Sequence, residues 1–370
     1  MRDLTASLTR LALLRLRRDE RGVIGVLVAL LVGGGVLLGM GALVLDVGQI
    51  YQERAELQSG ADAAALGVAK SCALGACTPG NASQLADGNA SSLTGGTEGV
   101  TLVCGSGSLG SCPASTGSLT SCQPQPSADT NFVEVYTATQ TAGGSTLLPP
   151  TFATALLGNA SYQGTTVRAC AQAVWGAPSA ATADALTISA CEWDQATQQG
   201  TAYASAPPYS QNPEPAASFD QVLTPDPGNG HGCATEPTGD DAAGTFGWAL
   251  DTKNTCAVPV TGPSFPGSPG NSTEPACLAI LQNAWQNQTA IVVPVYASFD
   301  GGANTYALQG FADFVVTGYN LPSAAEPDWL DPANTCTSTC VTGYFVQGVI
   351  PSTGSLSGTY LGASIIELTG

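Results

Sequence analysis

Basic residues are scarce in this 370-residue chain, which has 10 Lys+Arg against 28 Asp+Glu and a formal net charge of −18. A nucleic-acid-binding protein needs a basic face that displaces counterions from phosphates. Most of the basic residues lie together at the amino terminus, as Arg2, Arg10, Arg15, Arg17, Arg18 and Arg21. The acidic remainder excludes a nucleic-acid partner.

Histidine is almost absent as well. His231, in PDPGNGHGC, is the only one, so any Ser-His or Cys-His pair would have to use it as the base. No G-x-S-x-G elbow accompanies it, and no C-x-x-C pair suggests zinc. We therefore expect a loop role for His231 and a chain that is not an enzyme, with no catalytic residues, no bound metal and no cofactor.

Three other patterns resemble sites without the context that a site needs. GSGSLG at 105–110 has the spacing of a phosphate-binding loop, but no strand and helix are predicted around it. Glu192 and Asp194 are interpreted as an exposed acidic pair rather than as glycosidase carboxylates. Acidic clusters that could offer oxygen atoms to calcium lack an EF-hand loop; they are Asp240 with Asp241, and Glu326, Asp328 and Asp331.

Charge is absent from residues 22–45, GVIGVLVALLVGGGVLLGMGALVL. These 24 residues would form about 36 Å of helix, enough to cross a hydrocarbon core of about 30 Å. We predict a single-pass membrane helix with the basic segment 1–21 in the cytoplasm and the remainder outside. A cleaved secretory signal is the alternative, but its apolar core is only about 7 to 15 residues long.

The 12 cysteines all follow this apolar run, as expected of disulfides that form in an oxidising exterior. Short spacing favours Cys72 with Cys77 and Cys336 with Cys340, while the overall connectivity stays open. The disulfide candidates are Cys72, Cys77, Cys104, Cys112, Cys122, Cys170, Cys191, Cys233, Cys256, Cys277, Cys336 and Cys340.

Helix is predicted to continue beyond the membrane over 46–71, which is rich in helix formers, lacks proline and has apolar residues near a 3.6 spacing. This extension is either a simple stalk or a packing helix of a filament. Small residues would let a second helix approach in the bilayer, which leaves homo-oligomerisation through the membrane helix open. The helix-packing candidates are Gly33, Gly34, Gly35, Gly39, Gly41, Asp46, Tyr51 and Leu57.

These residues carry a family resemblance. The order "DERG", an apolar run and then "ALVLDVGQIYQERAELQSGADAAALGVA" resembles the amino-terminal segment of the TadE/TadG-like proteins of the Flp (tight adherence) pilus-assembly system. The shared features are Asp46 at the outer end of the run, Tyr51, the Leu57–Gln58 step and an Ala-rich block after Asp62. The resemblance continues through "NFVEVYTATQT" and "TTVRACAQAVWG", and the later segments resemble TadG-like ectodomains.

Two features depart from the family pattern. Processed prepilins carry a glutamate five residues after the cleavage point, and cleavage after Gly22 would place Leu27 there. The D-x-S-x-S string of a von Willebrand A-type metal site does not occur in the sequence. The resemblance therefore supports neither prepilin processing nor a metal-dependent adhesion site of that kind.

The remainder of the chain divides into two regions. Residues 72–178 begin as a loop-rich, Cys-containing segment to about residue 130, followed by two strands at "NFVEVYTAT" and "TTVRACAQAVW" joined by a short helical or tight connection at "TFATALLG". Residues 179–370 have strand-like runs at "ALTIS", "AIVVPVY", "FADFVVTGY", "YFVQGVI" and "ASIIEL", separated by Pro/Gly-rich loops. The longest such loop, 198–244, is predicted to lie on the surface.

The sequence thus predicts an α+β protein, with a long transmembrane helix and its amphipathic extension followed by a β-rich, loop-rich, disulfide-bonded ectodomain. Its function would be a non-catalytic role in pilus assembly, with the membrane and other pilus-assembly or pilin subunits as partners. Two alternatives remain at this point, a membrane-anchored adhesin that acts without pili and, less favoured, an anchored extracellular hydrolase.

Overall fold

The computed structural model describes residues 23–33, 36–89, 97–118, 120–141, 144–149, 163–225, 245–268, 275–333, 336–351 and 354–369. The helices in these ranges are α1 (23–33), α2 (Val36–Ala73), α3 (Ala82–Asn89), α4 (Ala190–Thr197) and α5 (Pro275–Asn287). Mixed helix and strand content with a β-rich carboxyl-terminal region confirms the predicted α+β class.

Sixteen strands follow in chain order within the same ranges. They are β1 (Thr97–Gly105), β2 (Asn131–Gln140), β3 (Arg168–Gly176), β4 (Ala181–Asp184), β5 (Leu186–Ser189), β6 (Gln221–Leu223), β7 (Phe246–Trp248), β8 (Ala257–Val260), β9 (Ser264–Pro266), β10 (Ala290–Asp300), β11 (Thr305–Leu321), β12 (Ala324–Glu326), β13 (Cys340–Val346), β14 (Gly348–Val349), β15 (Thr359–Tyr360) and β16 (Ala363–Leu368).

Helix α2 contains the whole predicted extension 46–71 and continues to Ala73. The predicted membrane helix falls on α1 and the first part of α2, and Gly34 and Gly35 between them lie outside the described residues. None of the helices in the described ranges is both long and apolar enough to cross a membrane, so they do not support the transmembrane helix predicted for 22–45.

The strands form three sheets within the described residues. One has the order β1-β2-β3-β16-β14, a second has the order β6-β13-β11-β10-β5-β7, and β4 pairs with β8. In the second sheet β11 also pairs with β9, β12 and β15. The long antiparallel pair β10–β11 sets its register, with Val293 opposite Ala312 and Ala290 opposite Val315. The strand predictions at β2, β3, β5, β10, β11, β13 and β16 are therefore confirmed.

The chain separates into two compact units. The first unit comprises Met1–Ala61, Ser83–Thr101 and Tyr136–Cys170, and its small core joins Leu57 of α2 to Leu148, Val167 and Ala169. The division into five segments predicted from the sequence remains a prediction.

The second unit comprises Asp62–Ala82, Leu102–Val135 and Ala171–Gly370. Its core lies on β10 and β11, where Tyr296, Phe311 and Phe314 are completely buried. Helix α5 packs against β11, and its Cys277, Leu281 and Ala284 are buried at the spacing of one helical face.

Two local predictions were wrong. Glu192 and Asp194 lie on α4, which the Ser189 hydroxyl caps by accepting a hydrogen bond from the backbone N–H of Glu192. Glu192 is completely buried and Asp194 is exposed, so the two are not an exposed pair. The segment predicted as loop after residue 71 also contains α3 and β1.

Candidate functional site

The first candidate site is the surface of α1 and the beginning of α2. Large apolar side chains are exposed along both helices, where a helix in contact with water normally carries polar groups. We call this set the outer apolar surface; it consists of Val23, Ile24, Val26, Leu27, Val28, Leu30, Leu31, Val32, Met40, Leu43, Val44, Leu45 and Val47.

Near this surface, the buried side of α2 includes acidic side chains. Asp46 and Glu53 are buried, while Leu45 and Val47 on either side of Asp46 are exposed. The helix therefore covers acidic groups and leaves apolar groups uncovered. Exposed apolar area of this extent marks a surface that meets a protein partner or a membrane.

Glu53 is a titratable group on the buried side of α2. Burial raises the pKa of its carboxyl, the Thr139 hydroxyl lowers it by hydrogen bonding, and the neighbouring Glu56 raises it. The net effect is an upward shift, because removal from water disfavours the carboxylate. Glu53 thus retains its proton to a higher pH than an exposed glutamate does.

The segment of α2 that follows is fixed to strands within the first unit. Leu57 is 0% exposed and packs with Leu148 and Val167. The Thr137 hydroxyl donates to the Leu57 carbonyl at 3.0 Å, and Gln58 Nε2 donates to the Cys170 carbonyl at 3.1 Å. These contacts hold the helix at its middle.

The predicted helix-packing glycines lie in or beside the outer apolar surface. A Cβ added at Gly33 or Gly41 would meet no atom within 4 Å, so the helix backbone is open there. Gly39 is half-buried, and Gly34 and Gly35 lie outside the described residues. Open glycine backbone is what close approach by a second helix requires.

The other packing candidates separate into exposed and buried side chains. Tyr51 is 71% exposed and so is accessible to a partner. Asp46 and Leu57 are buried within the chain. Their assignment as contacts with another helix stays a prediction.

Disulfides are present as expected. Both pairs favoured by short spacing are formed, Cys72–Cys77 and Cys336–Cys340. Two further pairs are Cys104–Cys112 and Cys256–Cys277. Cys122, Cys170 and Cys191 are also disulfide-bonded, and Cys233 lies outside the described residues.

Two groups of side chains in the described residues have the proximity of metal ligands; they share Glu134, and the second also contains the disulfide-bonded Cys122 and Cys170. Cys104, Cys112 and Glu134 place their ligand atoms within 4.8 Å of one another. The two sulfur atoms form a disulfide, and Glu134 Oε1 accepts a hydrogen bond from Gln172 Nε2 at 3.1 Å. The arrangement is that of a cross-linked turn, because metal-binding cysteines would have to be thiolates.

The sequence patterns that resembled other sites have structural roles where they are described. Asp328 Oδ1 accepts backbone hydrogen bonds from Leu330 and Asp331, both at 2.9 Å, and so closes a turn. In 105–110 the Gly105 N–H donates to the Gly110 carbonyl at 2.8 Å, and only a one-turn 3-10 helix, Gly107–Leu109, follows β1 there. His231, Asp240 and Asp241 lie outside the described residues.

The second candidate site is a cleft in the second unit that the sequence did not indicate. Its volume is about 550 Å³, and its walls include Trp175, Gln347, Tyr360 and Ser364. These residues come from β3, the link between β13 and β14, β15 and β16, so no local spacing could have indicated the cleft.

Comparison with known proteins supports only the amino-terminal assignment. No curated protein and no solved structure matches the chain. Residues 22–71, which include α1, most of α2 and the outer apolar surface, match the family model described as Tad, putative Flp pilus-assembly TadE/G-like. Over this segment the chain is similar to the TadE/TadG-like proteins of Flp pilus assembly.

Proposed function

We propose that this protein is a non-catalytic, single-pass membrane component of Flp pilus assembly, either a minor pilin or an assembly factor. The observation that carries the proposal is the coincidence of the family match at 22–71 with the outer apolar surface. The part of the chain that is related to pilus assembly is also the part with uncovered apolar side chains. In this role α1 and the start of α2 contact lipid and pilus subunits, and the ectodomain contacts pilus or cell-surface partners.

The membrane part of the proposal rests on the sequence together with side-chain exposure. Residues 22–45 contain no charge, and the basic segment 1–21 would remain on the cytoplasmic side. The exposed Val23 to Val32 on α1 would find an apolar environment in lipid. The disulfides agree with an ectodomain on the oxidising side.

The role in assembly is tested by counting surface pili in an in-frame deletion strain, with and without a complementing copy of the full chain. We expect pili to disappear and to return on complementation. Normal pilus numbers with reduced adherence would overturn the assembly role and support the pilus-independent adhesin instead.

The topology is tested with alkaline phosphatase, which is active only on the oxidising side, fused after Lys70 or after Arg21. We expect activity for the fusion after Lys70 and none for the fusion after Arg21. Extraction with alkaline carbonate distinguishes an integral protein from a peripheral one, and we expect the chain to stay in the membrane pellet. Release into the supernatant would contradict the single-pass anchor.

The outer apolar surface is tested by Leu43→Lys in the complementing copy, with Gln52→Lys as the matched control. Both positions are exposed on α2, but only Leu43 belongs to the outer apolar surface. A buried charge at an apolar contact costs several kcal/mol, so Leu43→Lys should abolish complementation while Gln52→Lys leaves it intact. Equal pilus numbers in the two strains would show that this surface has no part in assembly.

A further inference from the structure

The cleft in the second unit has the size and the walls of a binding site. Its volume of about 550 Å³ lies in the range of small-molecule sites, about 300–1,000 Å³. Segments from several parts of the chain form its walls: the turn after α2, the turn after β1, the start of β2, and the neighbourhood of β14 to β16. All of them belong to the second unit.

Two of its walls are held in place before any ligand binds. The Cys72–Cys77 disulfide closes the turn after α2, where the Cys77 N–H also donates to the Ser71 carbonyl at 3.0 Å. The turn after β1 is fastened to β2, because Ser106 N–H donates to the Phe132 carbonyl at 2.9 Å and Ser106 Oγ accepts from Phe132 N–H at 3.0 Å. Rigid walls reduce the conformational entropy that the protein loses when a ligand binds.

The cleft contains polar groups with unused hydrogen-bonding capacity. Ser364 is 0% exposed, lies at the cleft wall, and its Oγ has no partner among the described residues. A buried hydroxyl without a partner costs about 1–3 kcal/mol, which a ligand hydroxyl at that place would recover. This group is the strongest indication that the cleft is built for an occupant.

Trp175 adds a donor at the same wall. Other tryptophans donate to backbone carbonyls: Trp193 Nε1 to Leu361 at 2.8 Å and Trp285 Nε1 to Pro327 at 3.0 Å. Trp175 is only 8% exposed and lines the cleft. An indole N–H of this kind normally finds an acceptor, and a ligand oxygen in the cleft would supply one.

Tyr360 provides an aromatic surface. It is 39% exposed, and its phenol oxygen accepts a hydrogen bond from Gln347 Nε2 at 2.9 Å. The Gln347 amide fixes the ring while leaving part of it open to the cleft. Such a ring can stack against the apolar C–H face of a sugar.

The charge of the cleft restricts the class of ligand. No lysine, arginine or histidine lies among its described lining residues, and the one carboxylate is the exposed Asp129 at the rim. An anionic ligand would find no counter-charge in a chain of net charge −18. A purely apolar ligand would leave the Ser364 hydroxyl without a partner. The remaining class is an uncharged molecule with many hydroxyl groups and apolar faces.

We infer that this cleft binds a neutral glycan, with a sugar ring stacked on Tyr360 and ligand hydroxyls that bond to Ser364 Oγ and Trp175 Nε1–H. The inference goes beyond the pilus-assembly role and does not depend on it. It gives the second unit a carbohydrate-recognition function of its own.

The test uses the full-length protein in lauryldimethylamine oxide micelles, because glucoside and maltoside detergents carry sugar headgroups. The probes are the neutral trisaccharides cellotriose, maltotriose, mannotriose and chitotriose, with anionic trigalacturonate for comparison. Binding is followed by titration calorimetry and by saturation-transfer NMR. We expect at least one neutral trisaccharide to bind and trigalacturonate not to bind.

Substitutions then locate the binding. Tyr360→Ala should weaken it about tenfold, the factor that corresponds to 1.4 kcal/mol. Ser364→Ala and Trp175→Phe should weaken it severalfold without loss of fold, which circular dichroism checks. Tyr51→Ala and Trp329→Phe are the matched controls outside the cleft and should bind as the natural chain does.

Two results would overturn the inference. One is that no neutral trisaccharide binds at about 10 mM, well above the concentration at which a weak site saturates. The other is equal binding by the cleft variants and the controls. If the cleft variants instead lose a pilus subunit in co-purification and bind no sugar, the cleft is a protein-docking site. These readouts are independent of pilus counts, so failure here leaves the assembly role unaffected.

Discussion

Gln347 donates a hydrogen bond from Nε2 to the phenol oxygen of Tyr360 at 2.9 Å. The other end of the same amide lies over Gly75, where an added Cβ would come within 2.6 Å of Gln347 Oε1. Gly75 has φ +76°, a conformation that side chains with a Cβ rarely adopt. The position of the tyrosine ring in the cleft therefore depends on a glycine in the turn after α2.

This relationship predicts the effect of Gly75→Ala. The new Cβ should displace the Gln347 amide and strain the turn, which lowers the free energy of unfolding by about 1–3 kcal/mol. Glycan binding should weaken together with stability. Urea denaturation and calorimetry measure the two effects, and Gly80→Ala is the control because its Cβ would meet nothing within 4 Å. Unchanged glycan binding by Gly75→Ala would show that the turn does not position the binding residues of the cleft.

Some elements could be predicted because the residues within each element form a recognisable pattern. The run "ASIIEL" gave β16 at its observed bounds, Ala363–Leu368. The alternating patterns gave β2 and β3, although both strands are buried on both faces rather than on one. Hydrophobic β-branched runs bounded by turn residues identify strands whichever face is covered.

Other elements have residues typical of a helix start, but the composition of the neighbouring segment argues against a helix. Helix α5 begins at Pro275, the position that proline favours in a helix, but a Pro/Gly-rich segment precedes it. Ser189 and Glu192 have the S-x-x-E spacing of a capping box, which identifies α4 in retrospect. The cleft had no such signal, because strand pairing brings together residues that are far apart in the chain.

Asp313 predicts how stability depends on pH. It is 6% exposed, its Oδ2 has no partner in the described residues, and burial raises its pKa from 3.8 to about 7. The unfolded chain loses this proton near pH 4, whereas the folded chain keeps it until about pH 7, so stability falls as the pH rises between these values. The loss amounts to about 4 kcal/mol at 1.36 kcal/mol per pH unit.

Asp313→Asn tests this dependence, because the amide cannot ionise. Urea midpoints at pH 5 and pH 8 should differ less in this variant than in the natural chain, and the variant should be the more stable of the two at pH 8. Asp129→Asn, at an exposed position, is the control and should keep the natural difference. A natural chain that is equally stable at both pH values would contradict the prediction.

The contribution of Asp251 to stability depends on pH in the opposite direction to that of Asp313. Its carboxylate accepts backbone hydrogen bonds from Lys253 at 2.8 Å, Thr255 at 2.5 Å and Cys256 at 2.6 Å. Burial alone would raise its pKa, but these N–H groups outweigh burial and lower it, so the stability it contributes is lost as the pH falls. Asp251→Ala should cost about 2–3 kcal/mol at pH 7, and Asp251→Asn less. Thermal unfolding of both variants measures this, and equal losses would mean that the charge is irrelevant.

The disulfides differ in the length of chain that they close. Cys256–Cys277 closes a separation of 21 residues, and Cys336–Cys340 one of 4. A longer loop loses more entropy when it is cross-linked, so replacing both cysteines of Cys256–Cys277 by alanine should cost about 3 kcal/mol, against about 2 kcal/mol for the shorter pair. Urea denaturation of the two double variants checks the order, and a larger loss for the shorter pair would contradict it.

Substitutions at Leu57 and Tyr51 distinguish the contribution of α2 to the fold from its proposed contact with a partner. Leu57 is 0% exposed in the core of the first unit, so Leu57→Ala should cost about 2–5 kcal/mol. Tyr51 is 71% exposed, so Tyr51→Ala should change stability by no more than about 0.5 kcal/mol. If the exposed side of α2 contacts a pilus subunit, Tyr51→Ala should still reduce the number of surface pili, whereas Leu57→Ala should do so only in proportion to lost protein. Immunoblotting normalises the counts to protein level. Normal pilus numbers with Tyr51→Ala would show that α2 contributes to the fold at this position and not to contact with a partner.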